Sequence, residues 1–150
     1  MVLPILVLLL LLGIDFGRVY FQNINLRNAA HEATMYGGTD PDATCAELKA
    51  VIDREMGRTS ADGAVCGPGT ASDVVYITEY ECERADAGQP CTPWSPPYQA
   101  DAELRYAVEL RYRFQPVVPF VGLLAGQGMG DSIPMRVENR SPVLIGYEGQ

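Results

Sequence analysis

Four cysteines, one histidine and a scatter of carboxylates are the residues here whose types could support chemistry, and their spacing limits what that chemistry can be. Cys45, Cys66, Cys82 and Cys91 lie 21, 16 and 9 residues apart. Metal sites usually hold cysteines in close pairs, so this spacing, with a single histidine, argues against zinc. An even count behind an apolar N-terminal segment favours disulfides in an oxidising compartment, with reduced buried thiols as the alternative. Three pairings are possible. Cys45–Cys66 and Cys82–Cys91 are expected because each joins neighbouring stretches of chain, and loops of this size contribute ~2–4 kcal/mol each through the unfolded state.

The remaining candidates do not assemble a reaction. His31-Glu32 is an adjacent acid–histidine pair, but no nucleophile motif or second histidine accompanies it, and a solvent-facing histidine is expected. Glu79 and Glu81 sit at strand spacing on a solvated face. Gly126-x-Gly128-x-Gly130 lacks the strand before and helix after that a phosphate loop needs. No G-x-S-x-G, Walker or Rossmann signature occurs. Catalysis, metal and cofactor are therefore not expected. Net charge is −8 with one lysine, Lys49, which excludes the clustered cations of a nucleic-acid binder.

What must position these residues begins with the uninterrupted apolar run Val2 to Ile14. Leucine favours helix and Pro4 falls in the first turn, where a missing N–H is harmless. The run covers ~20 Å at 1.5 Å per residue, short of the ~30 Å hydrocarbon core of a bilayer. A cleaved signal peptide would need a basic start, and no Lys or Arg precedes Arg18. The preferred reading is a membrane helix that starts upstream of Met1, where a basic leader, a glycine and a nearby glutamate are expected. Helical spacing continues through Phe16, Val19, Tyr20, Ile24 and Leu26 to the small residues Ala29, Ala30 and Ala33, which admit close approach by the chain's own sheet or by another helix. One helix should thus run from near Val2 to about Tyr36 and stop at Gly37-Gly38.

A small head follows. Asp40-Pro41 reads as a helix start, with Thr44-x-x-Glu47 a capping box one turn later, and Leu48, Val51, Ile52 and Met56 form a stripe that Gly57 stops. Arg58 to Ser72 is irregular. Val74, Tyr76, Thr78 and Tyr80 should share one strand face. From Ala102 to Phe114 the alternation is strict: Leu104, Tyr106, Val108, Leu110 and Tyr112 face the helix while Arg105, Glu109, Arg111 and Arg113 face water. Ile133, Met135 and Val137 give a further strand, put at an edge by Pro134. The apolar, glycine-containing stretch Gln115 to Gly130 should cover the helix–sheet core, a membrane or subunit contact being the sharper alternative. Pro90 to Tyr98 is a stiff loop. The fold class is α+β: a long N-terminal membrane helix on a small antiparallel head, with boundaries at 1–37 and 38–150.

Leu3-Pro4 before a leucine run, Gly13-Ile14-Asp15-Phe16-Gly17-Arg18, and Asn28-Ala29-Ala30-His31-Glu32-Ala33 together resemble the N-terminal signature of TadE-like minor pilins of tight-adherence (Flp-type) pili. Arg111-Tyr112-Arg113-Phe114-Gln115-Pro116 and Met135-Arg136-Val137-Glu138 are also similar to that family. His31 stands where the family commonly has arginine, and no prepilin-peptidase site precedes Pro4. The resemblance implies a non-catalytic, pilin-like subunit in the inner (cytoplasmic) membrane with an extracytoplasmic head, on its way to a surface pilus. Its partners would be other pilin subunits, the assembly machinery and the membrane. Pro4, Leu9, Asp15, Gly17, Arg18, Ala29, Ala30 and Ala33 would line the membrane and assembly helix. Two other classes remain open: an anchored extracytoplasmic binding or sensor domain unrelated to pili, and a small secreted enzyme.

Overall fold

The computed structural model of the chain describes residues 2–40, 42–59, 62–69, 71–72, 74–84, 104–118, 126–127 and 131–143. One unbroken helix, α1 (Leu3–Thr39), passes through Gly13, Gly17, Gly37 and Gly38, with proline in its first turn. Its buried residues are Asp15 and, in the C-terminal half, Leu26, Ala29, Ala30, Ala33, Thr34, Gly37 and Gly38, and these last seven form a series. That spacing of threes and fours draws a single stripe along the helix.

Among the described residues a second helix and four strands follow: α2 (Cys45–Glu55), β1 (Val65–Cys66), β2 (Val75–Arg84), β3 (Leu104–Phe114) and β4 (Ile133–Pro142). The sheet order is β1-β2-β3-β4. β2, β3 and β4 are antiparallel neighbours, and β1 adds to β2 in parallel. The chain is therefore α+β, a long apolar N-terminal helix over a four-stranded mixed sheet. β1 was not legible in the glycine-rich sequence; Gly67 N–H donates to Ile77 O at 2.8 Å and fixes it to β2.

The core forms where the α1 stripe meets β3. Tyr106, Val108, Leu110, Tyr112 and Phe114 pack against Leu26, Ala29, Ala30 and Ala33, with Leu48 and Ile52 of α2 closing one side. Each large apolar side chain so buried stabilises the fold by ~1.5–3 kcal/mol. β4 lies at the sheet edge, as Pro134 indicated, and also packs on α1. There Asn139 Nδ2 donates to Thr34 Oγ1 at 3.2 Å, and Ser141 Oγ to Met35 Sδ at 3.2 Å.

Gly37 and Gly38 do not end the helix; they let it touch the sheet. A Cβ on Gly37 would stand 2.1 Å from Tyr106 Cε1, and one on Gly38 would stand 2.8 Å from the Pro142 carbonyl oxygen. The Tyr106 ring is buried, and burial first, then Tyr80 and Asp40, pushes its hydroxyl up to about 12, so it stays neutral. Gly37→Ala should therefore lower stability by ~1–3 kcal/mol through overpacking. Gly17→Ala, with nothing within 4 Å, should be neutral or slightly stabilising. Thermal unfolding of the two variants in detergent checks the contrast.

Two further expectations are corrected. α2 starts at the Thr44–Glu47 capping box rather than at Asp40-Pro41; Asp40 instead caps α1, its N–H donating to Tyr36 O at 3.0 Å. The Thr44 N–H donates to Glu47 Oε2 at 2.7 Å and holds that carboxyl below its ordinary value. In β2 the core face is Val75, Ile77 and Tyr80, which pair with Tyr112, Leu110 and Val108. A register shift between Ile77 and Glu79 inserts one residue and inverts the alternation. Tyr76 thus falls on the opposite face, buried where its hydroxyl accepts from Ala71 N–H at 2.9 Å.

The outer sheet face is less wet than the alternation suggested. Glu79, Glu109 and Glu138 lie in one row across three strands, and Glu109 is 1% exposed. Like charges directly opposed are unfavourable. Here Arg111 Nε at 2.5 Å and Arg136 Nη2 at 2.6 Å offset the repulsion. Burial alone would raise the Glu109 carboxyl, but hydrogen bonds from Arg111 and Thr78 and the charges of Arg111 and Arg136 together hold it below 4.5. A carboxylate depressed in the folded state stabilises above its unfolded value and loses that contribution as pH falls through the folded one. Glu109→Gln should cost ~1–3 kcal/mol at neutral pH and flatten the loss of stability below pH 4.5, as read by denaturant titration at several pH values.

Candidate membrane and assembly helix

Among the described residues little covers the N-terminal half of α1 apart from the contacts to Asp15. Val2 to Leu11 is exposed on every face, as are Ile14, Phe16, Tyr20, Phe21 and Ile24. Pro4, Leu9, Gly17 and Arg18 all lie on this exposed part. By length and composition the helix is apolar enough to cross a membrane, with a mean hydropathy of 2.0 over its best 18-residue window.

Asp15, which seemed to end the apolar run, faces inward and is 0% exposed. Its carboxylate accepts from Val117 N–H at 3.3 Å and from Val118 N–H at 2.7 Å. Arg18 Nη1 stands 3.5 Å away, and its guanidinium lies 5.1 Å from the centre of the Phe114 ring. With the acid turned away, the exposed apolar surface extends to Ile24 and reaches ~33 Å, which revises the ~20 Å read from the run alone. The partners of Asp15 were not predicted from sequence. A lone acid in an apolar helix does require one, and the nearby Pro116 marks a rigid turn that could supply it.

The small residues point the other way. Ala29, Ala30 and Ala33 are 0% exposed against the chain's own sheet, so in this arrangement they serve its core. His31 is exposed, with Asn139 Nδ2 at 3.2 Å from its Nδ1. An open cavity of about 410 Å³ beside it is lined by Arg27, Arg136, Val137, Glu138 and Asn139. Among the described residues no three His, Cys, Asp or Glu side chains are grouped to hold a metal.

Residues 1–35 match the family described as TadE-like protein. The similarity to that family lies in the N-terminal helix. No curated protein and no solved structure matches the chain. The match covers the exposed half of the TadE-like helix and continues into its buried stripe, and it stops before α2.

At the far side of the head, Cys45 at the start of α2 is disulfide-bonded to Cys66 in β1. Asp53 reinforces that link: it accepts from Ala64 N–H at 2.5 Å and from Lys49 Nζ at 2.7 Å. The expected Cys82–Cys91 pairing, the helix-facing side chain of Leu104, the proline-rich loop 90–98 and most of 119–130 lie outside the described residues.

Proposed function

We propose that this chain is a minor pilin-like structural protein of a tight-adherence pilus system. Its TadE-like helix is stored in the inner membrane, its head lies outside the cytoplasm, and the helix later exchanges lipid for contact with other pilin helices. Residues 1–37 form the membrane and assembly segment, and 38–150 the head. The observation that carries this reading is one continuous helix with two environments: an exposed apolar half that matches a TadE-like segment, and a buried half built into the sheet. The Cys45–Cys66 bond supports an oxidising location for the head. Partners are other pilin subunits and their assembly machinery.

Counting pili and measuring surface attachment in a deletion strain tests the proposal, and both should fall. His31→Ala should restore both on complementation, because His31 contacts an amide rather than a nucleophile. The similarity is confined to residues 1–35, which favours one other reading: an anchored extracytoplasmic binding domain. Normal piliation in the deletion strain would promote it.

A further inference from the structure

We infer that the Pro116–Val118 turn of the head enters the lipid bilayer beside α1, with Val117 at the boundary between headgroups and acyl chains. The inference rests on the reading of α1 as a membrane anchor and adds a second point of contact to it.

The argument begins with depth. Exposed large apolar side chains continue along α1 to Tyr20 and Phe21, at 70% and 60% exposure. Aromatic rings of this kind gather at the membrane–water boundary. Asp15 lies five residues nearer the N-terminus than Tyr20, ~7–8 Å deeper along the helix axis. The turn that Asp15 binds is therefore held at or below that boundary.

Backbone chemistry makes this placement tolerable. Non-helical backbone enters a membrane only if its N–H groups are satisfied. The sequence Pro116-Val117-Val118-Pro119 has just two N–H groups, because proline has none. Both donate to the Asp15 carboxylate. The turn thus gives a buried acid its donors, and the acid satisfies both N–H groups of the turn, leaving only its carbonyls to be met by headgroups and interfacial water. Arg18, close by and 46% exposed, can extend towards the headgroups while it accompanies Asp15. Val117 is left 68% exposed with an apolar side chain, beside a helix whose neighbouring Ile14 and Phe16 are also exposed. A lipid surface fits this combination of aromatic rings, one arginine and an apolar turn.

The full-length chain, carrying Trp94→Phe to remove its one tryptophan, should be placed in phosphatidylcholine vesicles with single reporters Val117→Trp, Leu9→Trp or Ala46→Trp. Val117→Trp should shift its emission to the blue and be quenched more by lipids brominated near the glycerol backbone than by lipids brominated mid-chain. Leu9→Trp should show the reverse preference, and Ala46→Trp should remain unquenched. Adding Asp15→Ala should abolish quenching of the reporter at 117 and spare the one at 9. A water-like reporter at 117 with a quenched one at 9 overturns the inference and leaves the anchor standing; loss of both overturns the anchor as well. A blue-shifted but unquenched reporter at 117 means that protein, not lipid, covers the turn, and overturns the inference too. Should Trp94→Phe misfold, Val117→Asp in the otherwise unaltered chain should weaken vesicle partition where Ala46→Asp does not, and equal partition of the two overturns it.

Discussion

Leu9→Arg should abolish surface piliation and attachment in a complemented deletion strain while the head stays folded. Leu9 is 63% exposed in the middle of the apolar run. A charge at membrane depth costs at least ~2.5–3.5 kcal/mol, which lowers correctly inserted protein roughly 70- to 400-fold. On the proposed function pilus assembly draws on that inserted pool, so storage and assembly should fail together. The first core residue contributed by the stripe, Leu26, lies ~25 Å further along the helix, so head packing is untouched. Membrane fractionation, pilus counts and head unfolding are the three readouts, with Leu9→Ile as the control. Normal piliation by Leu9→Arg would remove the membrane-stored helix from the account.

Replacing both Cys45 and Cys66 by alanine should lower the stability of the head by ~3 kcal/mol, the loop-closure entropy for the 21-residue separation of the bonded cysteines. In a domain of this size each kcal/mol moves the melting temperature by ~4–8 °C, so a large and measurable drop is expected. The bond joins the first residue of α2 to β1, and β1 has only two residues with which to hold β2. Amides near Cys66 should therefore exchange fastest in the variant, while those of β3 keep their protection. Calorimetry and hydrogen exchange would detect both effects. An unchanged melting temperature would mean that the Asp53 contacts to Ala64 and Lys49 already secure this corner.

How much was legible depended on whether a residue's neighbours are near in sequence. The alternation of β3 marked its core face correctly because Tyr106 to Phe114 repeats without interruption. The face of β2 is not legible because its register shift leaves no trace in residue type, so strict alternation groups Tyr80 with Val74 and Tyr76 instead of with Val75 and Ile77. Glycine was ambiguous for the same reason: Gly37-Gly38 serves equally well as a helix stop or as a close approach, and only Tyr106 and Pro142 decide between them. Asp15 was taken for the end of an anchor because its donors, Val117 and Val118, lie 102 and 103 residues away. Glu109 belonged to a charged face by pattern, yet Arg111 and Arg136, paired with each other across β3 and β4, enclose it.

On the proposed function α1 is both anchor and one wall of the core, which bears on how the molecule is made and lost. The helix is synthesised first, and its stripe from Leu26 to Gly38 waits for β3 to cover it. With the helix held in place, the strands condense on a fixed template instead of searching for one another as free chains, which reduces the exposure of unpaired edges during synthesis. The same sharing restricts turnover. A protease cutting between Arg27 and Gly38 would leave part of the wall behind with the anchor, and the released strands would have no cover for Tyr106 or Leu110. A cut on the N-terminal side of Asp15 would instead leave with the head both the stripe and the Asp15 and Arg18 contacts to it.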